Sequence, residues 1–153
     1  MYTKQEASAL RQQFWTKLGI YLSPIPSASG EKVNWINYKT GVKAIRFKMD
    51  ADSSHAFILI EVTGKTAEER ESAYTLLRSF KPALEEIMPG GLTWAENFED
   101  EFGGLSGRVT MELQPANIFS TADWPAMISF FKEGMIALDE FWADYKEIFE
   151  MSS

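Results

Sequence analysis

Glu31-Lys-Val-Asn-Trp-Ile-Asn-Tyr-Lys-Thr-Gly-Val-Lys-Ala-Ile-Arg-Phe-Lys-Met-Asp-Ala-Asp-Ser-Ser-His-Ala-Phe-Ile-Leu-Ile-Glu-Val62 is the stretch on which the fold turns. It reads as three consecutive strands. Val33 to Tyr38 and Val42 to Met49 flank Thr40-Gly41, where glycine can take the positive φ that a tight hairpin turn requires. Ala56-Phe-Ile-Leu-Ile60 is apolar without alternation, as expected of a central strand covered on both faces. If Thr40-Gly41 is a two-residue loop, Val33, Trp35 and Asn37 share one face with Ala44, Arg46 and Lys48, and Trp35 lies opposite Arg46. Such a pair would make a cation-π contact.

The same stretch carries a charge signal. Lys32, Lys39, Lys43, Arg46 and Lys48 fall in a run from 32 to 48 that contains no Asp or Glu. The chain as a whole has a formal charge of −7 from 15 basic and 22 acidic residues, so removing this run leaves the remainder at −12. A basic element sits on an acidic body, which argues against a general nucleic-acid coat and for one localised contact surface.

Outward from this unit the pattern is helical on both sides. Thr3 with Glu6 forms a capping box ahead of Ala7, Leu10, Phe14, Leu18 and Tyr21, which predicts a helix over 3–21. Pro24, Pro26, Ser27, Ser29 and Gly30 form the connection into the sheet. After the third strand, Thr66 and Glu69 cap a helix carrying Ala73, Leu76, Leu77, Phe80, Leu84 and Ile87, which Pro82 kinks or divides. Leu92 to Phe98 and Arg108 to Leu113 alternate around Gly103-Gly104 as a second hairpin. A last helix opens near Ser120 or Asp123 and carries Ile128, Phe131, Met135, Leu138, Trp142, Tyr145 and Phe149. The expected architecture is an α+β domain spanning 1–153: helix, three strands, helix, two strands, helix, with a mainly antiparallel five-stranded sheet.

Composition excludes several function classes. With no cysteine, there is no disulfide framework, thiolate metal site or cysteine nucleophile. His55 is the single histidine, so histidine-cluster metal sites are impossible. The start of the chain runs directly into an amphipathic pattern, and no segment approaches a membrane span, so a cytoplasmic location without a membrane partner is expected.

Two functional readings remain. The first is a non-enzymatic binding domain that uses Trp35, Lys39, Lys43, Arg46 and Lys48 to contact an acidic protein surface or nucleic acid, without a cofactor. The second follows from the element order, which is also that of the restriction-endonuclease-like core. Asp50, Asp52 and Glu61 would then hold Mg²⁺ as catalytic acids, but the residue two beyond Glu61 is Thr63, where those enzymes place a lysine. The stripe on the last helix is wide around Trp124, Phe130, Phe141 and Ile148, which leaves room for a homodimer.

Phe14-Trp15, the run Glu31 to Lys43 with its Asn-Trp-Ile-Asn-Tyr-Lys-Thr-Gly core, Arg46 to Asp52, Ile60 to Thr63 and Asp123 to Lys132 together resemble a bacterial family of uncharacterised proteins, the domain-of-unknown-function family 4268. The resemblance covers nearly the whole chain. It implies no activity, substrate or catalytic residue. In that family the domain also occurs C-terminal to nuclease-like regions, which makes work associated with nucleic acid an expectation.

Overall fold

The computed structural model describes residues 2–152. Helix α1 (Lys4–Leu22) begins at the capping box between Thr3 and Glu6. Two strands follow, β1 (Ile45–Ala51) and β2 (Ala56–Val62), then helices α2 (Ala67–Ser79) and α3 (Lys81–Ile87). Strands β3 (Thr93–Glu99) and β4 (Leu105–Leu113) precede a 3-10 turn and the long α4 (Trp124–Met151). Pro82 divides the middle helix: α2 stops at Ser79, and the proline falls in the first turn of α3, where its missing N–H costs nothing.

The α+β class holds, but the sheet has four strands in the order β1-β2-β4-β3, and every neighbouring pair is antiparallel. Two strands, not three, precede α2, so neither the expected order nor the restriction-endonuclease-like core is matched. The expected first strand, Val33 to Tyr38, is a folded loop. Its alternation is real, but Asn34 accepts the N–H of Asn37 at 3.1 Å through its side chain and turns the backbone. Trp35 and Tyr38 thereby fold inward together, with ring centroids 6.1 Å apart. Gly41 does take a positive φ, 80°, but the turn joins this loop to β1 rather than two strands.

One face of the sheet carries the core. Ile45, Phe47 and Ala51 of β1, Ile58, Ile60 and Val62 of β2, and Val109 and Met111 of β4 are buried there. α4 lies across it and meets Phe14 and Leu18 of α1 and Trp35 and Val42 of the loop in one cluster. Close approach needs glycine: a Cβ on Gly134 would meet Ile58 Cδ1 and Met111 Cε, and a Cβ on Gly107 would meet the Tyr74 ring. The wide stripe on α4 is filled within the chain, since Trp124 and Phe141 are buried and only Ile148 of the four residues is exposed.

Loop 23–44 is pinned to α4 by buried polar groups. Trp142 Nε1 donates to Thr40 O at 2.8 Å. Asp139 is buried and accepts the Tyr38 hydroxyl and the Ala28 N–H, each at 2.6 Å. Burial first, then the hydrogen bond to Asp139 and the charge of that carboxylate, hold the Tyr38 phenol well above the usual tyrosine range. A folded-state pKa above the unfolded value contributes stability that is complete below the unfolded pKa of about 10 and is lost as pH rises beyond it. Resistance to urea is therefore expected to fall above about pH 10, with a shallower fall in Tyr38→Phe. Equal slopes in the two proteins would exclude this hydroxyl as the cause.

β1 is an edge strand, and both ends of its free edge are stopped. Thr63 N–H donates to Ala44 O at 2.9 Å, so by antiparallel alternation the backbone groups of Ile45, Phe47, Met49 and Ala51 point away from β2. The Thr40 hydroxyl donates to Ile45 O at 2.6 Å, and Arg11 Nη1 donates to Ala51 O at 2.6 Å. That leaves Phe47 and Met49 as the open stretch. Side-chain stops of this kind keep an edge from adding another strand.

Candidate functional site

Among the described residues the helices pack on the core face, and none covers the second face of the sheet. Its side chains form a grid fixed by the strand register. The first row is Arg46, Glu61, Arg108 and Ala95; the second is Lys48, Leu59, Thr110 and Thr93; the third is Asp50, Phe57 and Glu112. His55 extends the grid beyond Phe57, and Phe98 extends it beyond Arg108.

Glu61 is the centre of the first row. It is 9% exposed, and Lys48 Nζ lies 3.0 Å from its Oε1 while Arg108 Nη2 lies 3.8 Å from its Oε2. Arg46 stands directly across from it on β1. Lys48 and Arg108 thus pair with one carboxylate and Arg46 stands beside them, so the first two rows hold three cations and one acid, while the third row adds Asp50, which Arg11 holds, and Glu112. Glu61 draws Lys48 and Arg108 together and leaves a local positive surplus on an otherwise acidic protein.

Beside this cluster lies a concavity of about 320 Å³ lined by His55, Phe57, Leu59, Thr93, Ala95, Phe98, Arg108, Thr110 and Glu112. Two stacked pairs bound it. His55 and Phe57 have ring centroids 5.2 Å apart at 24°, and the Arg108 guanidinium sits 3.8 Å from the Phe98 ring centroid. Thr93 and Thr110 face each other in the register and supply hydroxyls to its floor.

The predicted binding residues are divided by the structure. Arg46 and Lys48 are exposed on this open face. Trp35 is not: it is 3% exposed, and its indole N–H donates to Ile25 O at 2.9 Å, so it serves the core and does not face Arg46. Lys39 is exposed in the loop before β1. Lys43 lines a larger groove of about 1150 Å³ between α2, residues 42–45 and the end of α4. There Glu68 and Glu69 stand against Lys43 and Lys65, so the groove has no charge surplus.

The three acids of the nuclease reading do not converge. Asp50 faces Phe57, four residues along β2 from Glu61, which is about 13 Å at the usual rise of a strand. Asp50 is held by Arg11 Nη2 at 3.0 Å. Asp52 lies farther still, in the β1–β2 turn, where its Oδ1 accepts the N–H groups of Ser54 and His55 at 2.8 and 2.9 Å. Desolvation opposes the charge of Asp52, but those two N–H groups, the Ser54 hydroxyl and neighbouring His55 outweigh it and bring the carboxyl down to about 2. It is a turn former. Among the described residues no group of three or more histidines and acids is placed to hold a metal ion.

Arg108, Phe57 and Phe98 do not stand out in the sequence as site residues, and His55 stands out there only as the single histidine beside Asp50 and Asp52. Their signal was present in the alternation of β4, where Arg108, Thr110 and Glu112 oppose Val109, Met111 and Leu113. The missing information was the strand order, which sets β4 beside β2 and brings Arg108 to Glu61.

Among the described residues no helix is long and apolar enough to cross a membrane. No curated protein and no solved structure matches the chain. Residues 10–146 match the family described as a domain of unknown function, DUF4268, and this covers most of the chain, including every residue of the open face and its cation cluster. The chain belongs to the DUF4268 family.

Proposed function

We propose that this protein is a binding domain without a reaction of its own, which receives an acidic partner on the open face of its sheet. The observation that carries the reading is the surplus of Arg46, Lys48 and Arg108 around Glu61. A cationic cluster set on rigid strands costs little to organise when a partner arrives. Its surroundings strengthen the selectivity: six acids and no Lys or Arg lie between Lys81 and Arg108, and Glu96 and Glu99 of β3 place part of that run at the opposite sheet edge from β1. A polyanion is therefore repelled from one edge and attracted towards the other.

Retention on a heparin column and binding of labelled polyglutamate test the surface. Arg46→Glu combined with Lys48→Glu is expected to weaken binding to the better of these probes by about tenfold or more, because both residues are exposed and reverse the local charge. Glu61→Gln is expected to strengthen it. Unchanged binding in the double reversal, with the melting temperature unaltered, would sink the proposal.

A further inference from the structure

We infer that the acidic partner is single-stranded nucleic acid, with a base taken into the Phe57 end of the concavity and the backbone phosphates on Arg46 and Lys48. This rests on the open face being the contact surface and names what it contacts. Three observations favour a nucleic-acid strand over an acidic polypeptide.

The first is that the cations do not stand alone. The concavity next to them is bounded by two stacked pairs, His55 on Phe57 and Arg108 on Phe98. An aromatic ring and a guanidinium plane are what an unpaired base stacks on, whichever base it is. The carboxylates of an acidic peptide would pair with the guanidinium but have no flat ring to lay on Phe57.

The second is the path between ring and charge. Phe57 and Lys48 lie on adjacent rows and adjacent strands of the grid, as do Thr110 and Glu61. At a strand spacing of about 4.8 Å and about 7 Å between rows, the concavity and the cation cluster are separated by roughly the span from a base to its own phosphate. Thr93 and Thr110 add hydroxyls that donate to or accept from a base edge.

The third is the state of the sheet edge. An extended acidic peptide reaching for Arg46 and Lys48 would be expected to add to β1 as a further strand. The Thr40 and Arg11 side chains already occupy the carbonyls of Ile45 and Ala51 and leave only a short open stretch between them. The strand therefore has to cross the face rather than extend the edge. A duplex is disfavoured as well, since its bases are stacked on each other, and among the described residues no helix projects from this face to enter a groove.

Fluorescence anisotropy with a labelled single-stranded oligonucleotide of mixed sequence, as DNA and as RNA, tests the inference against the matching duplex and against labelled polyglutamate. Three results are expected. Single strands bind better than duplex. Phe57→Ala weakens them by about 5- to 100-fold while leaving the salt dependence in place. Arg46→Glu with Lys48→Glu removes binding, and the wild-type slope of log affinity against log salt is shallow, about −1.5 to −2, as for two or three phosphates.

Phe57 stacks on His55 and shares the open face with Leu59, so Phe57→Leu provides a variant that keeps apolar volume and lacks the ring. It is expected to bind as weakly as Phe57→Ala, and wild-type affinity in Phe57→Leu overturns the stacking role. Duplex binding equal to that of single strands overturns the strand assignment. If polyglutamate binds and responds to the double reversal while no oligonucleotide binds, this inference fails and the contact surface stands. If neither probe binds, both fail.

Discussion

Trp142→Ala is expected to lower stability by about 3 to 5 kcal/mol, the range for removing a large aromatic side chain from a core. Two effects combine in this variant. The indole is buried against Phe47 and Phe149, at ring centroid distances of 5.4 and 5.1 Å, and its loss leaves a cavity between β1 and α4 that the long helix cannot collapse. It also strips Thr40 O of its donor inside the core, and Thr40 is the residue whose hydroxyl stops the β1 edge. The damage should therefore spread to loop 23–44. Urea unfolding gives the overall loss, and amide exchange should show faster opening of residues 33–44 than of β2 and β4. A loss below about 1 kcal/mol, or uniform exchange throughout, would mean that the loop is held by other contacts.

Gly134→Val is expected to cost about 3 kcal/mol or more, despite a change that favours helix formation by roughly half a kcal/mol or less. α4 crosses β2 and β4 at this glycine, where even a Cβ would meet Ile58 Cδ1 and Met111 Cε. Both partners are buried in a filled core, so the ends of the Ile58 and Met111 side chains must leave their rotamers or the helix must lift from the sheet. Gly19 on α1 is the internal control. A Cβ there would lie 3.6 Å from Ile36 Cγ1, an ordinary contact, so Gly19→Ala should gain about 0.5 to 1 kcal/mol from helix propensity alone. Thermal melts of the two variants should move in opposite directions. A neutral Gly134→Val would show that α4 has freedom to shift on the sheet.

How far the sequence goes is visible at particular residues. Thr3 with Glu6 and Thr66 with Glu69 marked two helix starts because capping is a local matter of three residues, and both threonines accept the expected N–H. The unbroken apolar run at Ala56–Ile60 pointed to β2 as an interior strand, which the strand order bears out, although helices pack on one face of the sheet and not on both. Val33 to Tyr38 misled because period two is necessary for a strand and not sufficient. The Asn34 side chain competes for the backbone there, and Trp35 gains more by burial beside Tyr38 than by pairing. The candidate surface was half legible. Arg46 and Lys48 stood out as local charge, whereas Arg108 reaches Glu61 only through a pairing of β2 with β4 across the intervening α2, α3 and β3. Long-range pairing leaves no mark in a window of neighbouring residues.

The stopped edge of β1 also sets an order of assembly. Its two stops come from outside the sheet, one from Arg11 on α1 and one from Thr40 in the loop that Trp142 fastens. A chain still emerging, or one whose last helix has not docked, can form the β1–β2 hairpin before Trp142 is in place. During that interval Ile45 and Phe47 present bare backbone and apolar side chains to any neighbouring chain. The completed protein is guarded against strand exchange, and the nascent one is not. The hazard is confined to the time that α4 takes to arrive, and crowding of nascent chains, rather than the concentration of finished protein, sets how often it is met.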